Sequence, residues 1–141
     1  MISGFATTEG TKKFAQNSKA DIANFKQFQN LYLSNVGIGT YLGDTNSITD
    51  ELVTNAVKQS IKSGVNVVDT AINYRSQKAE RSVGKAISEL ISDGEITRDQ
   101  IFISSKNGYV TNDADVNLGF WEYVKQEYTD KGVVREGDIT S

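Results

Sequence analysis

Between residues 35 and 106 the apolar pattern changes period four times, and that alternation restricts the chain to few architectures. Asn35 to Thr40 reads as a short buried strand. After Asp44 the spacing turns helical, with Leu52, Val53, Ala56, Val57, Ser60 and Ile61 on one face, Ser47 or Thr49 placed to cap it and Gly64 placed to end it. Val65 to Val68 is a second strand, ending at Asp69. Ala79, Val83, Ala86, Ile87, Leu90 and Ile91 then mark a second amphipathic helix with Gly94 beyond its last turn, and Ile101 to Ser105 is a third strand, ending at Lys106. Two helices of about 14 residues between three short strands predict an α/β chain: right-handed βαβ crossovers and a parallel sheet covered on both faces.

The flanks obey other rules. Residues 1–24 are polar with scattered apolar positions and read as an arm, helical around Thr11 to Gln16. Phe25 to Phe28 and Leu31 to Leu33 bracket Gln29-Asn30 and predict a β-hairpin. After Lys106 the pattern loosens into a loop, Asn107 to Asp115. Phe120, Trp121, Val124 and Tyr128 then indicate one more short helix, and Thr129 to Ser141 shows no strand.

Composition narrows the chemistry. With 15 Lys and Arg against 18 Asp and Glu, and no dense basic block, the chain lacks the footprint that holds nucleic-acid phosphates. Zero Cys removes disulfides, thiolate metal sites and a Cys nucleophile, and zero His removes the commonest general base and zinc ligand. No metal site is expected. The first 18 residues hold no secretory apolar core, and no run approaches the roughly 20 apolar residues that span a bilayer, so a reduced cytoplasmic setting is expected and no membrane partner.

Proton chemistry therefore falls to Asp, Glu, Lys or Tyr. Neighbouring parallel strands end on one rim, so Asp69 and Lys106 should face each other there, with Tyr74 folding back from the following loop. A phenol beside an ammonium can serve as a tuned acid for a carbonyl oxygen. A strand-end Asp also commonly caps a loop, a Lys commonly snorkels and a loop Tyr commonly packs, so spacing leaves both readings open. Gly37, Gly39 and Gly43 do not make a dinucleotide fingerprint: the third Gly comes one place late, and Asp69 lies 26 residues beyond it. They read as glycines for a tight strand exit. Asn112, Asp113 and Asp115 lack the central Gly and terminal Glu of a calcium loop and read as a solvated loop. Phe120, Trp121 and Tyr128 read as a core-facing or partner-facing stripe.

Four pieces in order carry a resemblance: Gly37-Ile-Gly-Thr-Tyr41, Gly64-Val-Asn-Val-Val-Asp-Thr-Ala71 with Tyr74, Glu80-Arg-Ser-Val-Gly-Lys-Ala86, and Arg98-Asp-Gln-Ile-Phe-Ile-Ser-Ser-Lys106. On these the chain resembles the N-terminal part of the aldo-keto reductase superfamily. The resemblance implies a (β/α)8 TIM barrel that binds NADP(H) and reduces a small-molecule aldehyde or ketone by hydride transfer. It implies Asp69, Tyr74 and Lys106 as catalytic residues, Tyr74 as proton donor, and Gly39, Thr40, Tyr41 and Asp69 at the cofactor and substrate pocket. The family's fourth catalytic residue, a His ending a fourth strand, has no counterpart here, and most groups that grip the cofactor's adenosine and phosphate come from later strands. A full barrel takes about 250 residues. Residues 1–24 are then an arm and 25–141 an incomplete barrel domain of about three βα units behind a hairpin, expected to be inactive alone and, with two unpaired sheet edges, to self-associate. A non-catalytic regulatory or interaction module of the same fold is the alternative. Lys106 as a Schiff-base nucleophile is a third reading.

Overall fold

A computed structural model describes residues 2–138. Its first element, α1 (Thr8–Asn17), starts where Thr7 takes extended backbone and its Oγ1 accepts from the Gly10 N–H at 3.0 Å. That cap explains why the helix begins before the predicted Thr11. The arm packs into the body: Phe14 and Ala15 join the main core, and Phe14 meets Phe25 edge-on with centroids 6.2 Å apart. The predicted hairpin is present as β1 (Phe25–Phe28) and β2 (Leu31–Ser34). Gln29 and Asn30 both take positive φ, 46° and 67°, so an Asn that tolerates the left-handed region makes the tight turn without Gly.

Three parallel strands follow, β3 (Ile38–Gly39), β4 (Val67–Asp69) and β5 (Phe102–Ser104), in the order β3-β4-β5. The expected buried strand over Asn35 to Thr40 shrinks to two residues, and Val36 is 65% exposed. As an edge strand β3 has one partner, and two of the four residues from Gly37 to Thr40 are glycines with no side chain to bury. Between the strands run α2 (Ser47–Lys62) and α3 (Lys78–Ser92). The cap of α2 is Asn46, whose extended backbone aims its side-chain oxygen at the Thr49 N–H, 2.9 Å away, instead of the expected Ser47 or Thr49. Gly64 lies just past the helix end at φ 101°.

The buried stripe of α2 is Thr54, Val57 and Ile61, with Val53 partly buried, while Leu52 is 63% exposed and Ala56 is also exposed. Thr54 displaces the expected apolar residues because its hydroxyl donates to the Asp50 carbonyl at 2.7 Å and so enters the interface satisfied. On α3 the predicted residues are buried, apart from the half-buried Ile91. Ile38, Val68 and Ile103 turn toward the core that holds Val57, Ile61, Val83, Ile87 and Leu90. Val67 and Phe102, paired across β4 and β5, point the other way and stay half-buried outside that core. The sheet is thus covered by helices on one face, where the sequence predicted two.

Beneath the strands, Asn66 is fully buried and joins three segments. Its Oδ1 accepts from the Ser34 N–H at 2.8 Å, and its Nδ2 donates to the Tyr32 carbonyl at 2.8 Å and the Gln100 carbonyl at 3.3 Å. Its carbonyl accepts from the Phe102 N–H at 2.8 Å and its N–H donates to Ser34 Oγ at 3.1 Å. After Lys106 the chain forms a loop, then α4 (Phe120–Val124), which runs into a π turn at Lys125–Thr129. Of the aromatic stripe, Phe120 and Trp121 are exposed and Tyr128 is half-buried, while the buried residues of the helix are Tyr123 and Val124. The tail is free of strands over 129–138, and residues 139–141, like Met1 of the arm, lie outside the described residues. Among the described residues no helix is long and apolar enough to cross a membrane.

Asn66→Ala takes a bond from the half-buried Tyr32 and Ser34 of the hairpin and from the buried Gln100 beside β5, and it should lower unfolding free energy by about 3 kcal/mol in urea denaturation. One contribution to acid stability comes from Glu89, which hydrogen-bonds Lys58 of α2 and Lys85 of its own helix and is pulled from the ordinary 4.5 down to about 2. A depressed carboxylate contributes its full stabilisation above the ordinary value and loses it as pH falls through the folded one. The thermal midpoint should therefore decline between pH 4.5 and about 2, and Glu89→Gln should flatten that decline.

Candidate active site

The rim at the carboxyl ends of β4 and β5 gathers the residues singled out by sequence. The backbone positions them first: Thr70 N–H donates to the Ser104 carbonyl at 2.9 Å and Ile72 N–H to the Lys106 carbonyl at 3.2 Å, extending the β4-β5 pairing past the strands. Lys106 Nζ then reaches Asp69 Oδ1 at 2.6 Å, Asp69 Oδ2 at 2.7 Å and the Thr70 carbonyl at 3.0 Å. The hydrogen bond to Asp69 raises the Lys106 pKa above its ordinary value, against the opposing effect of burial, with a smaller push from Tyr74. Both side chains stay nearly half exposed, 47% for Lys106 and 45% for Asp69, so the pair opens onto solvent at the rim.

Tyr74 folds back as expected. Lys106 Nζ sits 4.9 Å from the centre of its ring, and Tyr41 meets the same ring edge-on with centroids 4.9 Å apart. Asp69, Tyr74, Lys106 and Tyr41 are therefore one cluster. Gly39 pairs with Asp69 across the strands, and a Cβ placed on it would meet nothing within 4 Å. Thr40 is buried, and its hydroxyl donates to the Asp69 carbonyl at 3.1 Å. That hydroxyl holds the backbone beneath the carboxylate.

A second group of charges was not legible in the sequence. Arg75, the residue after Tyr74, has a guanidinium only 1% exposed that pairs with Asp50 of α2. Lys78 bridges Asp50 at 3.1 Å and Asp115 at 2.8 Å, and Arg81 grips Asp113 Oδ1 at 2.7 Å and Oδ2 at 2.5 Å. The hydrogen bond from Arg81 and, for Asp115, that from Lys78 pull both carboxyls below their ordinary range. The loop read as solvated is instead pinned to the start of α3, because Lys78 and Arg81 hold Asp115 and Asp113 by charge-assisted hydrogen bonds. Only a buried charge demands a partner, and burial of Arg75 is not visible in local spacing.

A family model described as Aldo/keto reductase family matches residues 35–135. The chain is 28% identical over 93 residues to aldose reductase C of Dictyostelium discoideum, covering 66% of this chain and 27% of that protein. It is 38% identical over 71 residues to aldose reductase B of the same organism, covering 50% of this chain and 21% of that protein. A Bombyx mori aldo-keto reductase solved in complex with NADP aligns at 26% identity over 59% of this chain and 27% of its own, with a TM-score of 0.43. The chain thus spans about a quarter of the length of the relatives it matches.

Asp69→Asn removes the main cause that raises Lys106. The Lys106 amine should then titrate at lower pH than in the parent, followed by NMR of labelled lysine, and an unchanged titration would contradict the geometry above.

Proposed function

The chain belongs to the aldo/keto reductase family, and from that premise we propose that it is the N-terminal part of a (β/α)8 TIM barrel that reduces an aldehyde or ketone with NADPH, Tyr74 donating the proton. One observation carries the reading: the Lys106 ammonium is locked by Asp69 on one side and stands over the Tyr74 ring on the other. On this reading residues 1–24 are the arm and 25–141 the front of the barrel domain, and the coverage of only 27% and 21% of the relatives' length is in keeping with a part of a longer barrel.

The rim suits the nicotinamide end of the cofactor. Gly39 leaves open space at the strand end, Tyr41 offers an exposed ring beside Tyr74, and Asp69 keeps solvent-facing lone pairs that can accept from a ribose hydroxyl. Bound there, NADPH supplies the hydride. Tyr74 holds its phenolic proton toward the carbonyl oxygen and releases it as negative charge develops on that oxygen. Lys106 stays protonated and stabilises the phenolate left behind, and Asp69 keeps Lys106 charged and aimed. Thr40 and the β4-β5 pairing fix Asp69.

The raised Lys106 pKa argues against the Schiff-base reading, which needs a neutral amine. The free edges of β3 and β5 among the described residues support self-association of the chain alone.

In the complete reductase carrying this segment, Tyr74→Phe should lower kcat by about 10²- to 10⁴-fold with NADPH binding retained. Unchanged turnover would sink the assignment.

A further inference from the structure

The segment between Tyr74 and α3 is wound against its chirality. Arg75, Ser76 and Gln77 take φ of 52°, 50° and 75°, three successive side-chain-bearing residues in the left-handed region. Such a run persists only where the surroundings dictate it. It is closed beneath by the Ala79 N–H donating to the Tyr74 carbonyl at 3.3 Å and by Lys78 N–H to the Arg75 carbonyl at 3.2 Å. Relaxed to ordinary helix, the same residues would extend α3 backward and swing Tyr74 off the rim.

The outer part of the run is held by the loop beyond β5. Ser76 accepts from the Ala114 N–H at 3.1 Å, and Gln77 Nε2 donates to the Asn112 carbonyl at 3.3 Å and to Tyr123 Oη at 3.1 Å. Its inner part is held by Arg75. The buried guanidinium spreads three ways: Nε donates to the Asp44 carbonyl at 2.9 Å, one terminal nitrogen pairs with Asp50, and the other reaches Ser82 Oγ at 3.5 Å. Asp44 closes the loop that carries Tyr41. Gly43, at φ 115°, lets that loop fold down over the guanidinium, since a Cβ there would stand 2.5 Å from Thr49 Cγ2. One side chain therefore ties the Tyr41 loop, the start of α2 and the left-handed run together, and Tyr41 and Tyr74 meet edge-on above it.

We infer that Arg75 is a positioning residue for Tyr74, its buried fork holding the left-handed run that presents the phenol to Lys106 and keeping the Tyr41 ring against it. The inference rests on the reading of Tyr74 as proton donor. A lysine cannot replace the fork, because a single ammonium cannot reach Asp44, Asp50 and Ser82 from one point in three fixed directions.

Hydrogen exchange of the 141-residue chain tests this without activity, comparing amides of residues 72–79 with those of Val83 to Leu90 in the same digest. Arg75→Met and Arg75→Lys should both accelerate exchange of 72–79, the former by about tenfold or more, with the α3 core unchanged. Unchanged protection of 72–79 would overturn the proposal. If Arg75→Met does not fold, Asp50→Asn, which removes the ion pairs of Asp50 with Arg75 and Lys78 and leaves the bonds of Arg75 to Asp44 and Ser82, carries the same comparison. In the complete reductase Arg75→Met should lower kcat on the order of 100-fold with KM nearly unmoved. If exchange accelerates while Tyr74→Phe leaves turnover unchanged, the clamp is structural only and the positioning role falls with the proton-donor reading.

Discussion

Asn66 sits where three pieces of chain far apart in sequence must meet, and its amide is the one group that can satisfy all of them. The hairpin offers a Ser34 N–H and a Tyr32 carbonyl, the approach to β5 offers the Gln100 carbonyl, and the Asn66 backbone pairs with Phe102 and Ser34. A buried amide without partners is costly, and one with every group engaged fixes a unique register. From that register the rest follows. With the Asn66 carbonyl bonded to the Phe102 N–H, Val67 comes level with Phe102 and Asp69 with Ser104, and Lys106, two residues on, comes within reach of the carboxylate. A slip by one residue would turn the carboxylate to the helix face.

The two ends of the sheet solve different problems. At the hairpin end neutral amides and hydroxyls close the structure: Thr11 donates to the Thr7 carbonyl at 2.7 Å while accepting from the Tyr32 N–H at 3.0 Å. At the other end the closure is ionic, running from Asp50 through Arg75 and Lys78 to Asp115 and Arg81. Exposed pairs in such a chain add little individually. The buried Arg75 is different, because a guanidinium out of water stays only where its charge and donors are met. Its location beside Tyr74 places the most costly polar group of the rim next to its most unusual backbone.

That arrangement bears on how the acid proposed at this rim can work. The proposed acid is a phenol, and a phenol needs a neighbouring cation that stays charged. Asp69 provides for the charge and the strand pairing provides for the direction, while the left-handed run brings the ring to them. Each contribution comes from a different element, so the site depends on the fold as a whole.

Periodicity alone placed one helix through Leu52 to Ile61 and another through Ala79 to Ile91, the hairpin around Gln29-Asn30, and Asp69, Tyr74 and Lys106 at strand ends and in the next loop, because these follow from local spacing and from strands ending on a common rim. The sequence did not reveal the Asn46 cap, the burial of Thr54, the amide role of Asn66, the exposure of Leu52 or the clamp at Arg75. Each depends on a partner distant in the chain: Asn66 bonds residues 32 and 34 positions away, and Arg75 bonds Asp50 across 25. Hydrophobic pattern records which face a side chain prefers, and it is silent on polar groups that enter the interior once a partner meets them there. Which residues could do chemistry was therefore written in the sequence, whereas what holds them in place was decided by tertiary structure, since desolvation makes a distant hydrogen-bond partner obligatory only after the core has closed.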